Sequence, residues 1–512
     1  MIHITIDGQP LTLAEPTTIV TAAARLGIAI PTLCYEPTLP PQVCCMVCVV
    51  AVAGQDHLIP ACGHPVQDGM VITTHSDAIF AARRASLELL LSEHYGDCVA
   101  PCTQACPAHM DVPTVARWVR SGDFAQALAV VRQTIALPGV LGHICPEPCA
   151  KGCHRSAHDG GLAVCALKRG LVAQELASGP ISPPACAPDT GQSVAIVGTG
   201  PTGLAAAFEL LQRGYRVTLI DKAPQLGGAL RTHVPREELP LELLDAELDV
   251  VIRMGATLRL GCAFGPELTV ADLRGQYDAV LLALGPITPA LAEAHGWPWR
   301  GQGVLTQSCR LGTTGLYAAG AMVVPTRLAV KGLAEGRKAA QQIHADFLAH
   351  LTPTATLKPM RFSVHRPHPH ITVIPQAPAA TTHTPEAMSQ EAQRCLQCGC
   401  AVADSCRLRN YAEEYGARWS THNPTQIPPQ LITSHPEVDI DLSKCIGCGL
   451  CVEVTKQAHE PVGLTLAGRG LTFQLATPLG ASWSAALTHS ARRCAEVCPT
   501  GAIVRRGGMD DT

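Results

Sequence analysis

The chain has 512 residues, 24 of them cysteine, and 38 Lys and Arg against 42 Asp and Glu give a formal net charge of −4. With only 16% of residues charged and 4% aromatic there is no basic face for nucleic acid. No apolar run approaches the roughly 18 residues of a spanning helix. The opening Met1-Ile-His-Ile-Thr-Ile6 starts as an alternating strand instead of a signal peptide, so the expectation is a cytoplasmic protein whose thiols are reduced and free to bind metal. Positive mean hydropathy without a spanning segment implies surface buried against partner subunits, and any membrane association would be peripheral, through those partners.

Strand-like Ile2 to Ile6 and Leu11 to Leu13 and a helix over Thr18 to Leu26 precede Cys34, Cys45, Cys48 and Cys62, spaced C-x10-C-x2-C-x13-C. Loops carry such ligands because four thiolates must converge on one small cluster, which no regular element arranges. The segment resembles the 2Fe-2S domain that opens the large iron–sulfur subunit of respiratory complex I and of some hydrogenases and formate dehydrogenases. That resemblance implies a β-grasp ferredoxin domain over residues 1–75. Met46 stands where that family usually has arginine. Structural zinc is the competing metal, and Cys44, beside Cys45, reads as a bystander.

An apolar-spaced helix over Ala78 to Leu91 leads to His94-x3-Cys98-x3-Cys102-x3-Cys106-Pro107. Amphipathic helices over Pro113 to Ser121 and Phe124 to Thr134 follow, and then Cys145-Pro-Glu-Pro-Cys149-Ala-Lys-Gly-Cys153 and Cys165. These are ligands enough for two clusters in a helical domain at 76–185. Here the chain resembles the N-terminal iron–sulfur domain of the glutamate synthase small subunit, down to Ala105-Cys-Pro, Asp111-Val-Pro and Leu167-Lys-Arg169. The resemblance implies that Cys106, Cys145, Cys149 and Cys153 hold one 4Fe-4S cluster. Cys98 and Cys102 then hold half of another, completed by Cys165 or by His94. A competing partition groups His94, Cys98, Cys102 and Cys106, leaving Cys145, Cys149, Cys153 and Cys165. His94 also reads as a surface histidine ending a helix.

Past the Pro-rich joint at Pro180 to Pro188, a buried strand runs from Ser193 into Gly198-Thr-Gly200-Pro-Thr-Gly203, and a second strand ends at Asp221-Lys222. Gly198 permits the tight turn, Gly200 lets backbone approach a pyrophosphate, Gly203 lets helix close on strand, and Asp221 is placed to accept ribose hydroxyls. Gly227-Gly228 and Thr314-Gly-Leu-Tyr-Ala-Ala-Gly320 resemble FAD-binding segments of the glutamate synthase small subunit, which implies an FAD-type Rossmann domain over 190–350. Two departures matter. The stretch between Gly285 and Leu316 is too short to hold the second, NAD(P)H-binding βαβ unit of those relatives, and Ala321 stands where they carry an aspartate toward the flavin. A helix over Leu328 to Leu348 closes this domain.

A linker at 351–388, with the His365 to His370 patch read as solvated, precedes Cys395-x2-Cys398-x-Cys400-x5-Cys406 in a block at 389–435. Four thiolates within so short a span suit a 4Fe-4S cluster, with zinc the alternative. In the last block, 436–512, Cys445-x2-Cys448-x2-Cys451 and Cys494-x3-Cys498-Pro resemble the two halves of a bacterial ferredoxin domain. The resemblance implies that Cys445, Cys448, Cys451 and Cys498 share one 4Fe-4S cluster. The second cluster would need cysteines at Thr455, Thr488 and Ala491, and Cys494 is left over. Cys186, Cys262 and Cys309 stand alone.

The expectation is therefore a multidomain α/β and α+β protein with one 2Fe-2S cluster, about four 4Fe-4S clusters and FAD. It would relay electrons between a catalytic redox subunit and a further donor or acceptor subunit of a larger oxidoreductase, such as a formate dehydrogenase, a hydrogenase or an aromatic-ring reductase. The rivals are a self-contained NAD(P)H-dependent flavin oxidoreductase and a structural scaffold with an empty flavin fold.

Overall fold

The computed structural model describes residues 1–265, 268–312, 314–349, 362–364, 371, 373–376, 384–422 and 431–506. The His365 to His370 patch and most of the expected 351–388 linker before its last residues lie outside them. The chain forms two units, one of Met1–Val99, Lys358–His370 and Cys398–Thr512, the other of Ala100–Leu357 and Ile371–Gln397.

In the first unit β1 (Ile2–Ile6), β2 (Gln9–Leu13), α1 (Ile19–Arg25), β3 (Val49–Val52), β4 (Ile59–Pro60) and β5 (Val71–Thr73) form a sheet in the order β2-β1-β5-β3-β4. β1 pairs parallel with β5 and the other neighbours are antiparallel, with α1 packed on Ile4, Ile6, Val50 and Ile72. This is the β-grasp arrangement. Alternation along β1 buries Ile4 and Ile6, and Thr18 caps α1 through the Thr21 N–H. α2 (Asp77–Glu93), capped by Ser76, carries the chain away from the sheet.

The second unit starts with short helices α3 (Pro101–Ala105), α4 (Val112–Arg120), α5 (Phe124–Arg132), α6 (Pro138–Ile144), α7 (Pro148–Gly152) and α8 (Val164–Ser178). Proline at N1 or N2 of α3, α4, α6 and α7 starts each where a missing N–H costs nothing. A parallel sheet follows, built from β6 (Ser193–Val197), α9 (Pro201–Gln212), β7 (Arg216–Asp221), α10 (Ala229–Thr232), α11 (Leu241–Arg253), β8 (Thr257–Leu260), α12 (Val270–Arg274), β9 (Ala279–Leu282), α13 (Pro289–Ala294), β10 (Trp299–Arg300), β11 (Gly303–Val304), β12 (Leu316–Ala318) and α14 (Ala329–Ala349). Its order is β12-β9-β6-β7-β8, with all neighbours parallel; the order reverses at β6, which puts the crevice for a nucleotide at its carboxyl end. The fully buried runs Val194 to Val197 and Ala279 to Leu282 are what a sheet covered on both faces demands. Between β9 and β12 the described residues form α13 and the antiparallel hairpin β10-β11, with no second nucleotide-binding βαβ unit.

α15 (Pro385–Gln393) belongs to this unit. The first unit resumes with α16 (Arg407–Glu414), β13 (Leu431–Ile432), β14 (Val438–Asp441), α17 (Leu450–Gln457), β15 (Thr465–Ala467), β16 (Gln474–Ala476), α18 (Trp483–Ala486), α19 (Ala491–Val497) and β17 (Ile503–Arg505). β14 pairs antiparallel with β17 and β13, bringing the Cys445 loop and the Cys498 loop to one side. No described helix is long and apolar enough to cross a membrane.

Candidate iron–sulfur and nucleotide sites

At the front, Cys34, Cys45, Cys48 and Cys62 are buried on loops flanking β3 and β4. Contacts from the Cys44, Cys45 and Cys62 thiols hold Cys34 well below the ordinary thiol range, and the Cys62 contact holds Cys48 near 7. Thiols this close share protons until a cation replaces them, so cluster assembly here releases protons. Val43 and Met46 sit at φ 51° and 54°, left-handed backbone that residues other than glycine rarely adopt, so this loop stores strain where it wraps the site. Cys44, read from sequence as a bystander, touches this set.

In the second unit the structure draws together cysteines that are spread along the sequence. The Cys165 thiol donates to the carbonyls of Leu141 at 3.4 Å and Cys145 at 3.8 Å, and its thiol contact pulls Cys145 down to about 6. Burial pushes Cys149 up to about 12, with Cys106 and Cys145 in electrostatic reach. Cys165 thus meets Cys145, while Cys149 has Cys145 and Cys106 in its electrostatic surroundings. On the other side of α7, burial raises Cys102, and Cys395, Cys153 and Cys149 add to the rise. α3 packs so closely on α7 that a Cβ at Gly152 would come within 2.7 Å of the Ala105 Cβ. Cys395 is pushed up to about 11 by burial, again with Cys153 beside it.

The segment around Cys395 is fixed by a charge network that the sequence reading overlooked. Arg394 is 0% exposed and donates to the Glu391 carboxylate at 2.6 Å and to the carbonyls of Gly160 at 2.7 Å and Asp159 at 2.9 Å. Arg155 donates to the Arg394 carbonyl, and Gln397 donates to that of Pro113 at 2.9 Å. A buried guanidinium survives only with such partners. Its sequence signal is the charged pair Glu391 and Arg394 lying beside a cysteine.

In the first unit the remaining members of that C-x2-C-x-C-x5-C motif lie near Cys98. The Cys400 N–H donates to the Cys98 carbonyl at 3.2 Å, and the Val364 N–H reaches the Cys98 thiol at 3.4 Å. Burial pushes Cys406 up to about 12, helped by Cys400 and Cys98. Lys444 donates to the Gly399 carbonyl at 3.0 Å, and a Cβ at Gly501 would collide with the Cys400 thiol. His94 is buried at the C-terminal end of α2, not exposed on its surface.

Cys445, Cys448, Cys451 and Cys498 line one cavity with Ile446, Leu466, Leu475 and Ile503. Gly447 and Gly449, at φ 63° and 76°, turn the loop so that its thiols point inward. Burial pushes Cys445 up to about 11 and lifts Cys448 and Cys451 as well. Apolar walls and four inward thiols are the donor set and dielectric that a cluster takes. Cys494, 0% exposed, donates to the Cys451 carbonyl at 3.6 Å and packs as a small core residue.

The glycine loop forms a phosphate cradle. Gly198, at φ 109°, passes so near Ala283 that a Cβ would strike its carbonyl, and a Cβ at Gly203 would strike that of Gly198. Beside Gly200 there is open space, at the N-terminus of α9 where orphan N–H groups favour an anion. Gly227 and Gly228, both at positive φ, fold over this loop, and a Cβ on Gly228 would lie 2.9 Å from the Gly200 Cα. Asp221, followed by Lys222, ends β7. Its carboxylate accepts from the Thr199 N–H and hydroxyl at 2.7 Å each and from the Ala223 N–H at 2.9 Å, keeping lone pairs for further donors. Gly320, at φ 78°, admits the Thr202 side chain, with Ala321 next to it.

Four family models match the chain. Residues 1–77 match a 2Fe-2S iron-sulfur cluster binding domain, 76–179 the 4Fe-4S domain II of dihydropyrimidine dehydrogenase, 196–253 an NAD(P)-binding Rossmann-like domain, and 438–454 a 4Fe-4S binding domain. Among curated relatives, the NADP(+)-dependent formate dehydrogenase subunit beta of Moorella thermoacetica is 36% identical over 207 residues, covering 36% of this chain and 29% of that one. The NADPH-Fe(3+) oxidoreductase subunit beta of Geobacter sulfurreducens is 33% identical over 188 residues, 36% of this chain and 28% of that one. The dihydropyrimidine dehydrogenase subunit PreT of Salmonella typhimurium is 36% identical over 190 residues, 36% of this chain and 45% of that one. The chain thus spans less than half the length of these relatives. What the matches and the fold establish together is a multidomain iron–sulfur protein, with a 2Fe-2S domain, a helical 4Fe-4S domain, a nucleotide-binding Rossmann-like domain and a C-terminal ferredoxin-like domain, similar over about a third of its length to subunits of oxidoreductases.

Proposed function

We propose that the chain is an iron–sulfur flavoprotein subunit that relays electrons between a catalytic redox subunit and a second donor or acceptor subunit. The observation that carries this reading is the convergence of separate thiol sets, most of their members buried, four of which line a single apolar cavity. Clusters bound there would supply one-electron steps, and FAD at the Gly198 to Gly203 loop would couple one- and two-electron transfer. The chain's own part is to set the conditions for those steps. Burial excludes water, backbone N–H groups such as that of Val364 point at sulfur, and the α9 N-terminus offers donors to a pyrophosphate.

FAD is preferred to a nicotinamide nucleotide because Gly227-Gly228 and Gly320 close on the same loop, and because a hairpin, β10-β11, occupies the place where a hydride donor would need its own βαβ unit. The ligand assignment follows the sequence motifs. Cys34, Cys45, Cys48 and Cys62 take the 2Fe-2S cluster; Cys445, Cys448, Cys451 and Cys498 take a 4Fe-4S cluster; and the rest come from the Cys98 to Cys165 and Cys395 to Cys406 groups.

The test is anaerobic addition of NADH or NADPH to the isolated chain. Cluster and flavin absorbance should stay oxidised with either nucleotide and bleach with dithionite. Bleaching by a pyridine nucleotide alone would overturn the relay in favour of a self-contained oxidoreductase.

A further inference from the structure

The loop that carries Cys34 to Cys48 is stitched along its length to the C-terminal ferredoxin-like domain, within the first unit. Glu36 pairs with Arg493 at 3.0 Å, and the same guanidinium donates to the Thr38 hydroxyl at 3.1 Å. The Gln457 amide reaches the Thr38 carbonyl at 3.5 Å. At the centre the Cys44 thiol points at the carbonyls of Cys448, 3.7 Å away, and Gly447, 3.9 Å away, and Gln42 lies against Gly449. Leu33, Cys34, Cys45 and Val47 share one apolar core with Cys448, Leu450 and Cys451. Two ligand loops thus back directly onto each other.

We propose that this seam is an electron junction joining the 2Fe-2S ligand set directly to the Cys445, Cys448, Cys451 and Cys498 set, with Cys44 as the positioning residue that spans it. The proposal rests on the relay reading and adds to it which two centres exchange. In each passage one site loses an electron and the other gains it, and no bond forms or breaks. The reductant enters from outside the chain, as dithionite in the assay or as a one-electron donor subunit. Apolar walls and short covalent and hydrogen-bonded steps from Cys34 and Cys45 through Cys44 to the Cys448 carbonyl give the electron a packed path instead of a solvent gap. The placement also explains why a cysteine that binds no metal sits next to one that does.

The test reads spins, with no turnover required. In the fully reduced chain both centres are paramagnetic, and the 2Fe-2S EPR signal should be broadened or split by its neighbour and relax fast. Cys448→Ser, with iron analysis showing the neighbouring cluster lost, should return a simple, slowly relaxing 2Fe-2S signal. Arg493→Glu should retain the full iron content while weakening the interaction, because it sets like charge against Glu36. Cys44→Ala should retain both signals and slow their mutual equilibration after a reducing pulse. Identical 2Fe-2S spectra in the native chain and in Cys448→Ser, with iron confirming that both clusters are loaded in the native chain and that one is lost in the variant, would overturn the junction and leave the relay reading standing. Absence of the clusters themselves would sink the relay. If Cys448→Ser does not fold, partial reduction of the native chain serves instead, since the broadening should grow only as the second centre becomes reduced.

Discussion

The two halves of the C-terminal domain follow one plan, a three-cysteine turn followed by a helix, yet they are filled differently. On one side Cys445, Cys448, Cys451 and Cys498 open onto an apolar cavity. On the other side the places where a second set would sit are Thr455, Thr488, Ala491 and Cys494, and a carboxylate takes up the backbone donors of residues 488–490. Glu460 accepts from the N–H groups of His489 at 2.6 Å, Ser490 at 2.8 Å and Thr488 at 3.1 Å, and from the Ser490 hydroxyl at 2.7 Å. Thr455 turns its hydroxyl to the Val452 carbonyl at 2.8 Å and accepts from the Leu464 N–H at 3.1 Å. Backbone donors that would face cluster sulfur in a two-cluster ferredoxin must find another acceptor once the sulfur is gone, and an anionic side chain supplies it. Losing a metal site therefore takes more than deleting its ligands.

The largest expected effect comes from breaking the loaded side. Cys451→Ala should cost about four iron per chain, and hydrogen exchange should show β14 and β17 losing protection, since the cluster holds the two halves together. Next comes refilling the vacated side. Glu460→Ala combined with Thr455→Cys, Thr488→Cys and Ala491→Cys should add about four iron and a second 4Fe-4S EPR signal after reconstitution. No gain in iron would mean that the backbone, and not only the ligands, has diverged.

Glu460→Gln alone should leave iron unchanged and weaken the domain by about 1–2 kcal/mol in denaturant titrations. The same variant bears on acid stability. Burial works to raise the Glu460 carboxyl, but the His489 and Ser490 donors outweigh it and hold it below the usual range. A depressed carboxyl contributes its full stabilisation above the unfolded value of about 4.3 and loses it as pH falls through the lower folded value. The native domain should therefore show an acid-induced loss in that window which Glu460→Gln lacks. Thr455→Val should be the mildest change, about 1 kcal/mol with iron intact, read by the same titration.

Much of the architecture is legible in the sequence because its signals are local. Alternation gives β1, the apolar spacing gives α2, and the strand, Gly198 to Gly203 turn and helix give the nucleotide fold within one continuous stretch. The C-terminal ligand set is equally readable, since a ferredoxin half carries its three thiols in a single turn. Thiol groupings in the helical region are harder to read. Cys165 meets Cys145 through the packing of α8 on α6, and Cys395 joins Cys102 and Cys153 only because buried Arg394 and Glu391 anchor its segment. Convergence between loops separated by hundreds of residues leaves no periodic trace, so spacing alone groups Cys395 with Cys398, Cys400 and Cys406, and leaves Cys44 without a role. Asp221 is a milder case. Its position at the end of β7 is legible, but its bonds to Thr199 depend on the shape of the turn.

The most direct test of the relay is the iron, acid-labile sulfide, zinc and flavin content of the anaerobically purified chain, with EPR after dithionite reduction. The account predicts about eighteen iron with matching sulfide, one FAD, and both 2Fe-2S and 4Fe-4S signals. Zinc in the cysteine sites with little sulfide would contradict it and make the chain a metal-stapled scaffold.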